Sequence, residues 1–350
     1  MTATQAVSAR DREHMLVHTA GLWEAFRGER VFITGGTGFV GTWLVEAFVA
    51  ADDAYDLGAT AVLLSRDPDR FAARAPHLAG HRAVRLIAGD AVDFTPPEGR
   101  FAFVVHAATE RQDPAAPLRS LDRDTAATRR VLEFARHAAT RRMLLSSSGA
   151  VYGNQPAELA HVSETYPGAP DATDVRTAYG QGKRLSEFAC ASYARTYDVD
   201  VAIGRMFAFV GPHLPLGAGF AAGDFVGDIL AGRAIRIGGD GTAVRSYLYA
   251  ADLAVWLWTI LLRGERGRAY NVGSPQALSI RELAELMVSE LAPGTAIEVE
   301  RRALSGAAGA RYVPAIGRAE SELGLRVLVA LPDALRRTYD FYRAAEAEGG

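Results

Sequence analysis

At 350 residues, 49% of them hydrophobic, the chain is long enough for one large domain or two modest ones around a buried core. Its 38 basic residues nearly balance its 41 acidic ones, for a formal net charge of −3; this excludes nucleic acid or an anionic membrane gripped by bulk charge, and leaves any anionic ligand to local arginines. A single cysteine, Cys190, excludes an intrachain disulfide and a cysteine-rich zinc site, so no metal centre is expected and a reducing cytoplasm suits the chain.

The first 29 residues lack the apolar core of a secretory signal. Met15, Thr19, Leu22 and Phe26 fall at helical spacing and predict a short amphipathic helix leaning on the body of the protein. Val31 to Thr34 is a β-branched and aromatic run, followed at once by Gly35-Gly36-Thr37-Gly38-Phe39-Val40-Gly41 and an apolar helical stretch from Trp43. Strand, glycine turn and helix in that order describe a dinucleotide site: the turn is tight, backbone must approach a pyrophosphate, and the helix start offers its N–H groups to phosphate.

Further strands are predicted at Ala61 to Leu64, Val84 to Ile87, Phe101 to Val105, Met143 to Ser146 and Val199 to Gly204, with helices such as Thr125 to Ala138 between them. That alternation implies a parallel sheet covered on both faces. At the end of the second strand an acid would bind the ribose of NAD, whereas an arginine would receive the 2′-phosphate of NADP. Ser65-Arg66 stands there with Asp67 one step late, which favours NADP(H) and leaves NAD(H) possible. Asp90 and Ala91, after the third strand, are candidate adenine contacts.

Tyr179 and Lys183 lie four apart on one face of a predicted helix. Lys183 is the only lysine in the chain, against 37 arginines, which marks a place where a compact ammonium is required and a planar guanidinium does not serve. A phenol ordinarily titrates near ~10, and a neighbouring cation favours the phenolate it needs to exchange protons near neutrality. Cys190, seven residues on, reads as a packed core thiol. Beyond Arg205 the chain turns Gly- and Pro-rich, and Tyr249 to Val272 is expected to return to the first domain. The apolar run Leu253 to Leu262 is too short to span a bilayer, so no membrane partner is expected.

Three stretches, Thr34 to Gly41, Ser146-Ser147-Ser148-Gly149-Ala150-Val151-Tyr152-Gly153, and Tyr179 with Lys183, together resemble the extended short-chain dehydrogenase/reductases, the nucleotide-sugar epimerase/dehydratase family. The resemblance implies an α/β fold, a Rossmann-type doubly wound parallel sheet with a smaller, loop-rich C-terminal substrate domain. The corresponding division is a helical extension over 1–29, a dinucleotide-binding domain over 30–206 and 248–274, and a substrate domain over 207–247 and 275–350. It further implies Tyr179 as general acid/base, Lys183 as its cation and ribose ligand, and Ser148 orienting the sugar carbonyl. Ala107 and Ala108 would lie under the nicotinamide ribose; Thr109, Phe209, Arg245 and Arg311 would meet the nucleotide-diphosphate sugar. The helices near Thr125 to Ala138 and Thr177 to Tyr197 resemble a dimer-forming pair, so a homodimer is expected.

Two departures bear on the reaction. The family's 4,6-dehydratases and sugar-acid decarboxylases carry an acidic residue right after the serine or threonine, where this chain has Gly149-Ala150, and Ala208 replaces an expected asparagine. The reading that follows is NADPH-dependent reduction of a nucleotide-activated 4-keto-6-deoxyhexose at C4. A redox-neutral, NAD-dependent C4 epimerase needs the same groups and stays open; a dehydratase is disfavoured, and a non-catalytic dinucleotide sensor would not need Tyr179 and Lys183.

Overall fold

A computed structural model describes residues 5–109, 113–300 and 310–349. Its first half alternates regularly: α1 (Ala9–His18), β1 (Arg30–Thr34), α2 (Phe39–Tyr55), β2 (Thr60–Ser65), α3 (Pro68–Arg74), α4 (Pro76–Ala79), β3 (Val84–Ala88), β4 (Phe103–His106), α5 (Pro117–His137), β5 (Arg142–Ser148), α6 (Ala178–Thr196) and β6 (Val201–Met206). The second half has shorter pieces: β7 (Ala208–Val210), α7 (Ala221–Leu230), β8 (Ile235–Ile237), β9 (Val244–Arg245), β10 (Tyr247–Tyr249), α8 (Ala250–Arg263), β11 (Ala269–Val272), β12 (Leu278–Ser279), α9 (Ile280–Leu291), β13 (Ile297–Val299), β14 (Arg311–Tyr312), α10 (Gly317–Leu323) and α11 (Leu331–Gly349).

Seven strands pair in parallel in the order β11-β6-β5-β4-β1-β2-β3. Successive side chains of a strand point to opposite faces, so Val31 and Ile33 join one core while Phe32 joins another. The first lies under α2 and α8; Trp23, Phe26, Phe48, Phe103 and Trp258 are fully or almost fully buried there. The second lies under α5 and α6, where Phe32 stacks on Phe94 and meets Phe101 and Phe134, and Cys190 packs among them. Burial pushes the Cys190 thiol up, as suits a core group. Helices on both faces and a chain reversal between β1 and β4 make the sheet doubly wound, and the crevice beyond the strand ends at that reversal is where such sheets take ligands. Beyond β6 the strands other than β11 form three small sheets, β7 with β10, β12-β9-β14 and β8 with β13.

Three expectations shift. The N-terminal residues Met15, Thr19, Leu22 and Phe26 are all buried, but not on one helix. Thr19 closes α1 by bonding back to Met15 with both its N–H and its hydroxyl, Gly21 turns at φ +80°, and a 3₁₀ turn over Trp23–Phe26 then enters the core. Strands β4 and β6 each begin two residues later than the apolar runs that predict them, because Phe101 and Val199 are spent on the buried turns that lead into the sheet.

Candidate active site

The turn after β1 shows why its glycines are needed. Gly35 has φ +71°, and a Cβ there would lie 2.5 Å from the Ala107 carbonyl carbon and the Ala108 nitrogen; one on Gly41 would lie 2.2 Å from the Gly35 oxygen. Helix α2 therefore starts hard against β1 and β4. Its N-cap is Gly38, no side chain caps it, and its first turn carries no acid, so its leading N–H groups face the crevice as an anion site. Arg74 of α3, unmarked by any motif, bonds the Thr37 carbonyl and braces the turn.

A cavity of about 790 Å³ runs from this turn across the ends of the strands. Gly35, Thr37, Gly38, Phe39, Val40 and Gly41 line it beside Ser65 and Arg66, with Asp90 and Ala91 from the loop after β3. Asp67 does not line it: its carboxylate accepts from the Arg70 N–H and caps α3, while its own N–H donates to Ser65 Oγ. Asp90 accepts from Val92 N–H at 3.0 Å and pairs with Arg123 at 2.5 Å. Partial burial pushes its carboxyl up, but the Val92 amide and the Arg123 guanidinium outweigh that and hold it below the usual carboxylate range.

At the far end lie Ala107, Ala108, Thr109, Ser148, Tyr179, Phe209 and Arg245. Tyr179 stands in the first turn of α6, and Gly180 lets that helix approach: a Cβ there would lie 2.7 Å from the Ala150 oxygen. Lys183, one turn on, is buried beneath the cavity floor. Its Nζ donates to Thr109 Oγ1 at 2.6 Å and to the Ser146 carbonyl at 3.4 Å, and sits 5.7 Å from the centre of the Tyr179 ring. Thr109, expected on the sugar, lines the cavity and is also a partner of Lys183.

Behind Ala107, His106 is fully buried, with Nδ1 on Thr34 Oγ1 at 2.7 Å and Nε2 on Thr128 Oγ1 at 3.2 Å; Thr128 continues to Ser186 Oγ of α6 at 2.8 Å. Burial first, and the Lys183 charge second, lower its pKa to about 3. A neutral ring donating from Nε2 satisfies the whole chain, and ties β1, β4, α5 and α6 together under the site.

Ser148 ends β5, and its Oγ accepts from Ala150 N–H at 3.1 Å. Below it, Ser147 donates to Glu187, Glu187 takes both ends of the Arg205 guanidinium at 3.0 and 2.7 Å, and Arg205 donates to Tyr152, whose hydroxyl reaches Asn271 at 2.7 Å. This network fixes the loop that follows Ser148.

Tyr312 of β14 is the group that sequence reasoning missed. Its hydroxyl lies 3.2 Å from Ser148 Oγ and donates to the Met206 carbonyl at 3.1 Å, and its ring packs at a tilt against Phe207 with centroids 4.5 Å apart. Arg311, its neighbour, corrects an expectation. Arg311 does not line the cavity; its Nη1 reaches the Ala160 carbonyl at 3.4 Å, because on a strand adjacent side chains leave opposite faces and Tyr312 takes the inward one. Arg245 does line the cavity, with its guanidinium 6.0 Å from the Tyr312 ring centre and hydrogen bonds to the Val244 and Ala310 carbonyls.

Comparison with known proteins agrees with this fold. The model of a family described as the NAD dependent epimerase/dehydratase family matches residues 31–273. UDP-glucuronic acid decarboxylase 1 of Xenopus tropicalis is 29% identical over 321 residues, covering 90% of this chain and 72% of that protein. The solved dTDP-glucose 4,6-dehydratase of Streptomyces venezuelae, with NAD bound, superposes with a TM-score of 0.76 at 26% identity over 91% of this chain and 98% of that one. The UDP-glucose 4-epimerase of Thermotoga maritima, solved with UDP-glucose, shares the fold at a TM-score of 0.75 and 20% identity, over 91% and 99% of the two chains.

Proposed function

Since the chain belongs to the NAD-dependent epimerase/dehydratase family and is an enzyme of that nucleotide-sugar chemistry, we propose that it reduces a nucleotide-activated 4-keto-6-deoxyhexose at C4 with NADPH. The observation that carries this reading is at Gly149. A Cβ there would lie 2.6 Å from the Phe207 ring and 2.8 Å from the Tyr312 hydroxyl, so an acidic side chain would have to displace both rings where dehydration or decarboxylation would need one, and Ala150 brings none.

The glycine turn, the uncapped start of α2 and the lining at Ala107 and Ala108 fit a dinucleotide, which when bound supplies the hydride. Arg66 on the lining, with Asp67 engaged as a helix cap, supports a 2′-phosphate and hence NADP(H) over NAD(H). Ser148 donates a hydrogen bond to the C4 oxygen, Tyr179 gives it a proton, and the buried ammonium of Lys183 stabilises the charge the ring then carries. Arg245 faces the diphosphate. Exposed Leu118, Leu185 and Phe188 on the paired helices α5 and α6 support a homodimer.

One observation favours a second reading: the solved Streptomyces dehydratase holds NAD, and a C4 epimerase with resident NAD would use the same three groups. Both readings require Tyr179. Replacing Tyr179→Phe should abolish turnover of a 4-keto sugar nucleotide, by at least about 100-fold, and leave dinucleotide affinity nearly unchanged; retained turnover would remove the phenol from the mechanism.

A further inference from the structure

We infer that Tyr312 is a positioning residue for Ser148: its hydroxyl holds the serine so that the serine proton is directed at a substrate carbonyl. The inference rests on the reading above, in which Ser148 meets the sugar oxygen.

Ser148 Oγ has one proton to give and two lone pairs. One lone pair takes the Ala150 N–H. The Tyr312 hydroxyl is within reach of two acceptors, the Met206 carbonyl at 3.1 Å and Ser148 Oγ at 3.2 Å. While its proton lies on Met206, the phenol oxygen accepts the serine proton. When it turns to Ser148, it fills the serine's second lone pair, and the serine proton is left with only a substrate oxygen to meet. No proton changes owner; a rotation of one O–H moves the donor direction.

This arrangement depends on Tyr312 remaining a neutral phenol. Burial pushes it up, well out of the range in which it would ionise near neutrality, and outweighs the hydrogen bonds with Ser148 and the Gly149 N–H that act the other way. A carboxylate in its place accepts only, and would draw the serine proton away from the substrate. The site is built to keep the phenol there. Its ring is clamped on Phe207, and Gly149 is stripped of the Cβ that would strike its hydroxyl. A serine acting purely as donor suits a carbonyl substrate.

The test is a double-substitution cycle on the full-length protein with a thymidine- or uridine-diphosphate 4-keto-6-deoxyhexose. Tyr312→Phe keeps the ring and its packing against Phe207 and removes only the hydroxyl. It should lower kcat about ten-fold with NADPH affinity unchanged, and in the Ser148→Ala background it should lower kcat no further. An equal ten-fold loss in both backgrounds, or no loss in either, overturns the inference. A readout free of turnover accompanies it: the tyrosine 13Cζ resonance that vanishes in Tyr312→Phe should move on Ser148→Ala, and an unmoved resonance contradicts the contact. If Ser148→Ala and Tyr179→Phe both keep full turnover, the proposed function falls as well. If Ser148→Ala lowers turnover to a residual, measurable rate, Tyr179→Phe abolishes it and only the coupling is missing, this inference alone is wrong.

Discussion

His106 is held neutral inside the fold, and the cost shows in acid. The unfolded chain takes up a proton on this ring near 6.5, whereas the folded protein refuses it until about 3, so stability is complete above the unfolded value and is lost as pH falls. Buried His213, likewise lowered to about 3 by burial, acts in the same sense. His106→Gln keeps a donor for Thr128 and removes one titrating ring. Urea unfolding at pH 5 and pH 7 should show the stability gap between the two shrinking by roughly 2 kcal/mol in the variant. An unchanged gap would mean that His106 ionises in the folded state.

At this scale the sequence shows whatever depends on neighbours along the chain. The glycine turn and the Tyr179–Lys183 pair are visible because one helix or one turn sets their geometry. Tyr312 was not, since its contact with Ser148 spans 164 positions and no periodicity connects β14 to β5. Arg311 was singled out by residue type, and one residue of strand register decides that Tyr312, and not Arg311, faces the cavity.

Among the elements, α5 and α6 carry two loads. Their inner faces hold Thr128, Ser186, Cys190 and Lys183, while Leu118, Leu185 and Phe188 are 68%, 43% and 71% exposed on the outside. These exposed apolar side chains are what supports the homodimer proposed above. Light scattering at micromolar concentration should give twice the chain mass, and Phe188→Asp should give the monomer; a wild-type monomer would remove this face as an interface. The N-terminal elements are likewise more than an appendage. Asp11 on α1 pairs with Arg337 of α11 and accepts from Tyr249, and His14 pairs with the fully buried Asp252 of α8, so the two ends of the chain are tied through one buried patch. Spacing of apolar residues exposed their burial, but not the break at Thr19 to Gly21, because Gly21 alone does not distinguish a tolerated helical glycine from a turn.

For the whole molecule, the alternation of apolar runs was sufficient to expect a doubly wound parallel sheet, because strands buried on both faces and spaced by helices have few other arrangements. The order β3-β2-β1-β4-β5-β6-β11 was not read from the chain; it emerges from crossover geometry, which brings strands more than a hundred residues apart to one crevice. That crevice joins an uncapped helix start at one end to Ser148, Tyr179 and Arg245 at the other, and Phe207 and Tyr312 occupy the space an acidic side chain at position 149 would take. Reduction at C4, as proposed above, draws on Ser148, Tyr179 and Lys183 and on no second acid–base pair. The most direct test mixes the enzyme with NADPH and a nucleotide-activated 4-keto-6-deoxyhexose and counts both products. The account predicts one NADPH oxidised for each sugar that gains a C4 hydroxyl; interconversion of two hexoses with no net change in NADPH would contradict it.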